Sequence, residues 1–201
     1  MRVLALILLG SSCASAPSEI ASPFPADDPR ASRFILHVGG RALSGSDWDP
    51  VEDQGVFGLE FVHEAPESSV GIEAALFESG DTQDDYFVSP TLTADFRGRT
   101  TEASFGLHKE FPEQYRGVHA YFGGGLSVLR AELRDVTNGS EEEDYDVSTG
   151  AYLHGGVEFD ASAAIFVGLD LRIRGGTQVD LVGEDRSTNY GEVTVMLGFR
   201  F

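Results

Sequence analysis

The sequence predicts an all-β protein: a closed, eight-stranded antiparallel up-and-down transmembrane β-barrel. Three observations predict it. From residue 33 onward, apolar residues recur at every second position in eight separate segments, which is the period of a strand and not of a helix. The connections between those segments are alternately short and long. One face of each segment is almost free of charge, although the chain carries 33 Asp+Glu against 14 Lys+Arg and a formal net charge of −19. No apolar run approaches the roughly 20 residues a spanning helix needs. A membrane barrel needs none, because each strand hides half its side chains from lipid.

At 201 residues the chain fits one domain. Its acidity repels phosphate, which excludes nucleic acid or an anionic membrane surface as the partner of a basic patch. A single Cys excludes an intramolecular disulfide framework and any multi-cysteine metal site.

Residues 1–16, MRVLALILLGSSCASA, have one Arg, an apolar stretch and then small residues, the layout of a secretory signal. Cys13 stands where the apolar stretch gives way to small residues, and there it resembles the lipidated cysteine of a bacterial lipoprotein signal. Gly10, Ser11 and Ser12 depart from that pattern, and cleavage near Ala14 or Ala16 is the alternative. Residues 17–32, with four Pro and no periodicity, read as a disordered linker. The barrel domain is residues 33–201.

Within it, residues 34–42 set Phe34, Leu36 and Val38 against His37 and Arg41. Residues 55–63 set Phe57, Leu59 and Phe61 against Gly58 and Glu60, and residues 70–78 set Val70, Ile72, Ala74 and Leu76 against Gly71 and Glu73. Residues 100–111 oppose Ala103, Phe105 and Leu107 to Glu102, Ser104 and His108. Residues 118–129 oppose Phe122, Leu126 and Val128 to His119, Tyr121 and Gly123, and residues 150–160 oppose Leu153, Val157 and Phe159 to Tyr152, His154 and Glu158. The cleanest segment is 165–174, with Ile165, Val167, Leu169, Leu171 and Ile173 on one face and Asp170, Arg172 and Arg174 on the other. The last segment sets Val193, Val195, Leu197, Phe199 and Phe201 against Glu192, Thr194 and Arg200.

Residues 64–69, 112–117 and 161–164 are the short connections; residues 43–54, 79–99, 134–149 and 175–189 are long, polar and acidic loops. Short turns at one end and long loops at the other are the layout of an outer-membrane barrel. Alternation by itself also fits a lipocalin-like barrel, with the aliphatic face enclosing a ligand and the charged face in water. The loop sorting and the signal favour lipid outside. On that reading the lipid-facing residues are Phe57, Leu59, Phe61, Ile165, Val167, Leu169, Leu171, Ile173, Val193, Val195, Leu197 and Phe199. The interior polar network is His37, Arg41, Glu60, Glu73, Glu102, His108, His119, Tyr121, His154, Glu158, Asp170, Arg172, Arg174, Glu192 and Arg200.

The ending NYGEVTVMLGFRF closely resembles the C-terminal strand of bacterial outer-membrane proteins. In them a terminal Phe and alternating apolar residues are read by the barrel-assembly machinery, and the resemblance gives that role to Phe199 and Phe201. Residues 33–201 are similar in architecture to the small eight-stranded family typified by OmpA transmembrane domains, OmpX and OmpW. The resemblance implies the Gram-negative outer membrane as location, with its lipids and lipopolysaccharide as partners.

The inward charges read as a packed salt-bridge core, since eight strands enclose only enough room for side chains. An OmpW-like conduit for small hydrophobic ligands is the alternative. Lipid A-modifying barrels need a Ser nucleophile with a His and an acid. None of the five His stands in a His-x-Ser arrangement and no Gly-x-Ser-x-Gly occurs, so the chain reads as a non-enzyme without a cofactor. A zinc site pairing His119 with His154 across neighbouring strands is conceivable, but satisfied barrel histidines are the simpler reading, so no metal ligands are assigned. The run EEEDYD at 141–146, with Asp47, Asp49, Asp81, Asp84, Asp85, Glu184 and Asp185, gathers negative charge at the loop end. The plain reading is solvation; the sharper one is that divalent cations bridge these carboxylates to lipopolysaccharide phosphates.

Overall fold

The computed structural model describes residues 32–45, 48–64, 70–89, 92–111, 115, 117–137 and 140–201. The signal, Cys13, all of the linker but Ser32, and Asp47 lie outside them. Ten strands follow in order: β1 (Ser32–Leu43), β2 (Asp53–His63), β3 (Gly71–Ser89), β4 (Leu92–Glu110), β5 (Val118–Thr137), β6 (Ser140–Asp160), β7 (Ile165–Gly176), β8 (Val179–Leu181), β9 (Glu184–Arg186) and β10 (Tyr190–Arg200). Eight of them close an antiparallel barrel in the order β1-β10-β7-β6-β5-β4-β3-β2, and β8 pairs with β9 as a separate hairpin. Neighbours in sequence are neighbours in space, and the seam is β1 against β10, with Leu36 opposite Leu197 and Arg41 opposite Glu192.

Two of the expected long loops are strand. Residues 79–99 continue β3 and β4 to a pairing of Ser89 with Leu92, interrupted by register shifts between Gln83 and Tyr86 and between Phe87 and Ser89. Residues 134–149 continue β5 and β6 to the pairing of Thr137 with Ser140. Charge misled the sequence reading here: once a hairpin rises into water, its strands no longer need an apolar face, and the acidic run EEEDYD forms a ladder against Val136–Ala131.

The pleat sorts side chains cleanly across the barrel wall. Leu169, Leu171, Ile173, Val193, Val195, Phe57, Phe105, Leu107, Leu126 and Val128 are exposed on the outside. Glu60, Glu102, Asp170, Arg172 and Arg41 are buried inside. Along β5 this polarity reverses. Phe122, Leu126 and Val128 point out while Gly123 and Ser127 point in; a few residues on, Arg130 and Glu132 point out while Leu129, Ala131 and Leu133 are buried inside. The pleat is unbroken, so it is the outward face of β5 itself that changes from apolar to charged near residue 129.

Inward glycines leave room for the largest inward side chains. A Cβ on Gly198 would run into the Phe166 ring, and one on Gly58 into the Phe77 ring. Small and large residues must alternate across the lumen of a narrow barrel. At the loop end the lumen is closed by an apolar cap of Leu43, Trp48, Val51, Leu129, Ala131, Leu133, Val179, Leu181 and Tyr190. Trp48 is completely buried and its indole N–H donates to the Ser187 carbonyl at 2.6 Å.

Candidate functional site: a layered charged lumen

Alternation brings one inward side chain from each strand to each level of the barrel, and the charged residues fall into three layers. Nearest the cap, three arginines face two glutamates. Arg41 reaches Glu192 Oε2 at 2.7 Å and Glu102 Oε2 at 3.4 Å. Arg172 lies 3.6 Å and Arg174 3.9 Å from Glu102 Oε1. The Tyr190 hydroxyl donates to Glu102 Oε2 at 2.6 Å, and the Arg41 guanidinium stacks 3.9 Å from the Tyr190 ring centre. Hydroxyls take further arginine donors: Arg41 donates to Thr100 Oγ1 at 2.9 Å, Arg172 to Ser104 Oγ at 2.8 Å and Arg174 to Ser127 Oγ at 2.8 Å. Buried charge is tolerated when it is paired and hydrogen-bonded in this way.

The middle layer holds His37, Glu60, Glu73, His108, His154 and Asp170, all buried. His37 bridges Thr194 Oγ1 at 3.0 Å and Glu60 Oε2 at 3.3 Å. Glu73 Oε2 lies 3.2 Å from His108 Nδ1 and 3.0 Å from His154 Nε2, while Glu73 Oε1 accepts the Tyr152 hydroxyl at 2.6 Å. Asp170 Oδ2 accepts the Tyr121 hydroxyl at 2.5 Å and faces His154 Nδ1 at 3.0 Å. His108 and His154 converge because the position between them is glycine: Gly123 is in register with His108 on one side and His154 on the other.

The third layer lines the turn end. Arg33 pairs with Glu158 at 3.1 Å and also with Glu64 and Glu110; Arg200 pairs with Glu158 at 2.7 Å and with Asp160. His119 sits here, 2.9 Å from Glu110 and 3.1 Å from Asp160, with its side chain 18% exposed. This corrects its expected place in the lumen interior. It also removes the His119–His154 pairing, since His119 is in register with Glu158, four residues along the strand from His154. Arg200 is likewise a rim residue. The other thirteen residues of the expected interior network point inward and are buried.

The lumen also has an apolar share: Phe166 and Met196, which alternation places on the charged face, and Ile35, Val62 and Phe77, which the sequence reading does not single out, are buried inward among the charges. Alternation places Tyr152 on the inward face, but the sequence reading assigns neither its hydroxyl nor that of Tyr190 to the polar network; the signal is their even spacing from His154 and Glu192. At the loop end, two members of the acidic run are engaged with backbone. Asp146 accepts the N–H of Asp180 at 2.9 Å and of Val147 at 2.7 Å; Asp144 accepts the N–H of Val182 at 2.9 Å. Those bonds hold the Asp146 carboxyl below the usual carboxylate range.

The chain is similar in structure to a major outer membrane protein from Thermus thermophilus, at 12% identity and a TM-score of 0.58, covering 85% of this chain and 100% of that one. It is similar to the outer membrane protein OprG from Pseudomonas aeruginosa, at 13% identity and a TM-score of 0.53, covering 85% and 96%. It is similar also to Ail, the attachment invasion locus protein of Yersinia pestis, solved with the heparin analogue sucrose octasulfate, at 12% identity and a TM-score of 0.52, covering 85% and 97%. No protein-family model and no curated protein matches the chain. At these identities the likeness is one of fold, and the chain has the fold of the small eight-stranded outer-membrane barrels.

Proposed function

We propose that the protein is an integral outer-membrane barrel that acts through its surface: a lipid-embedded, plugged cylinder carrying two long hairpins into the external medium. The polarity reversal along β5 carries this reading. A barrel wholly in water has no reason to expose Phe122, Leu126 and Val128 on the same pleated face that carries Arg130 and Glu132 a few residues later. The apolar outer face of β7 from Ile165 to Ile173 runs about 27 Å along the strand. Tilted by roughly 40°, it fills most of a band of about 25 Å.

A filled lumen disfavours a conduit. The buried histidines pair with carboxylates and with Thr194 rather than with a serine nucleophile, which disfavours an enzyme. The extended ladders of β3–β4 and β5–β6 support an adhesive or scaffolding role, in contact with lipopolysaccharide or another surface. The exposed Phe199 and Phe201 suit recognition by the barrel-assembly machinery.

The test is membrane extraction joined to heat-modifiable migration. The expressed chain should resist carbonate wash and migrate faster unheated than heated on a detergent gel, and deleting β10 should abolish the shift. Release by carbonate would make it a peripheral or periplasmic binder. A mass change of lipid A on expression would make it an enzyme.

A further inference from the structure

We propose that Glu60, Glu73, His108 and His154 form a buried site for a divalent transition metal of the zinc class, in the middle of the barrel. One ligand atom from each of these four side chains lies within 4.8 Å of the others, and all four are buried. Two imidazoles and two carboxylates are a donor set that suits zinc. Tetrahedral bonds of ~2.0–2.1 Å place neighbouring ligand atoms ~3.3–3.4 Å apart. Glu73 Oε2 already stands 3.2 Å and 3.0 Å from the two histidine nitrogens, close to that spacing, and Glu60 completes the set within 4.8 Å.

Three further observations point to a cation there. First, Glu60 Oε1 is buried without a hydrogen-bond partner. An orphaned carboxylate oxygen in the lumen costs desolvation that a bound cation would recover. Second, among the described residues the ion-pair partners of Glu60, Glu73 and Asp170 are histidines alone, whereas Glu192 in the layer above and Glu158 in the layer below both meet arginine. Third, Asp170 stands behind His154. With Nδ1–H donated to Asp170 Oδ2, the Nε2 lone pair is aimed at the centre of the cluster, the carboxylate–histidine arrangement that orients metal ligands. Gly123 makes the convergence sterically possible, since a Cβ there would fall 2.6 Å from Glu73 Oε2. Toward the turn end, His108 Nε2 lies 4.0 Å from Glu64 Oε1, a partly exposed carboxylate.

The experiment uses the full chain extracted from membranes in detergent, loaded with Zn²⁺ or Co²⁺ and dialysed exhaustively. One equivalent of zinc per chain by elemental analysis, and the intense visible absorption of four-coordinate Co²⁺, are expected. The double variant His108→Ala, His154→Ala should lose both, while Asp144→Asn, Asp146→Asn at the loop end should retain them. Asp170→Asn, a change to a positioning residue, should weaken zinc binding by about 10–100-fold. Should the double histidine variant fail to fold, Glu60→Gln with intact heat-modifiable migration must still lower zinc affinity by about tenfold or more. Absence of stoichiometric zinc from the wild-type barrel, or its retention by the folded histidine variant, would overturn the site. Either result leaves the membrane-barrel reading standing, because heat-modifiable migration reports on that separately.

Discussion

Arg41 and Glu192 face each other in register across the seam where β1 meets β10, with Nη2 2.7 Å from Oε2 and both side chains fully enclosed. The pair sits at the one junction in the barrel whose strands come from opposite ends of the domain. Removing Glu192 leaves Arg41 only the longer contact to Glu102 at 3.4 Å, a carboxylate already shared with Arg172 and Arg174, and breaking a buried pair in this way costs about 3–5 kcal/mol. Glu192→Ala should therefore lower the denaturant midpoint of the folded barrel sharply. The double variant Arg41→Met, Glu192→Leu should recover much of that loss. Equal destabilisation by the single and double variants would mean that the pair's charges are not what the lumen depends on.

The membrane belt has an edge that substitutions can locate. Leu169→Arg, on the outer face in the middle of β7, should cost about 2–4 kcal/mol in a bilayer. Arg130→Ala, just past the polarity reversal on β5, removes an exposed pair with Glu132 and should cost only about 0.2–1 kcal/mol. Reversible unfolding in vesicles checks both, and a cheap Leu169→Arg would mean the outer wall meets water.

Gly198 and Phe166 test the packing of the lumen. Gly198→Ala drives a methyl into the Phe166 ring and should cost about 1–3 kcal/mol by overpacking. In the background of Phe166→Leu the same change should cost clearly less. Additive effects in that double-mutant cycle would show that the two positions do not compete for space.

Trp48 is the one tryptophan of the chain, so intrinsic fluorescence reports on the cap alone. Its emission should be blue-shifted and shielded from a water-soluble quencher. Leu181→Asp, which puts a charge into the same cluster, should shift the emission to the red and admit the quencher. Red, quenchable emission from the unaltered protein would show that the cap is open.

Asp146 supplies a pH dependence outside the membrane belt. Amide donors from Asp180 and Val147 stabilise its ionised form, so its folded value lies below the ordinary ~3.9. The contribution to holding β6 against β8 is then present above the unfolded value and is lost as pH falls through the lower folded one. The amide resonances of Asp180 and Val147 should titrate with a midpoint below ~3.9; a midpoint at or above it would contradict the bonding.

The eight barrel segments were legible in the sequence because burial on a strand is a period-2 property. Hydrocarbon outside and paired charge inside write themselves into alternate residues such as Leu169, Asp170, Leu171 and Arg172. Alternation also fixed which charges point inward, though not which ones meet. That Gly123 lets His108 approach His154, that Glu102 serves three arginines, and that His119 stays at the rim depend on register between strands far apart in sequence. The polarity of residues 79–99 and 134–149 concealed two strand extensions, because a hairpin in water keeps its ladder without an apolar face. The cap around Trp48 was hidden for the opposite reason: a few apolar residues in acidic loops show no period, and only folding brings them together over the open end of the lumen.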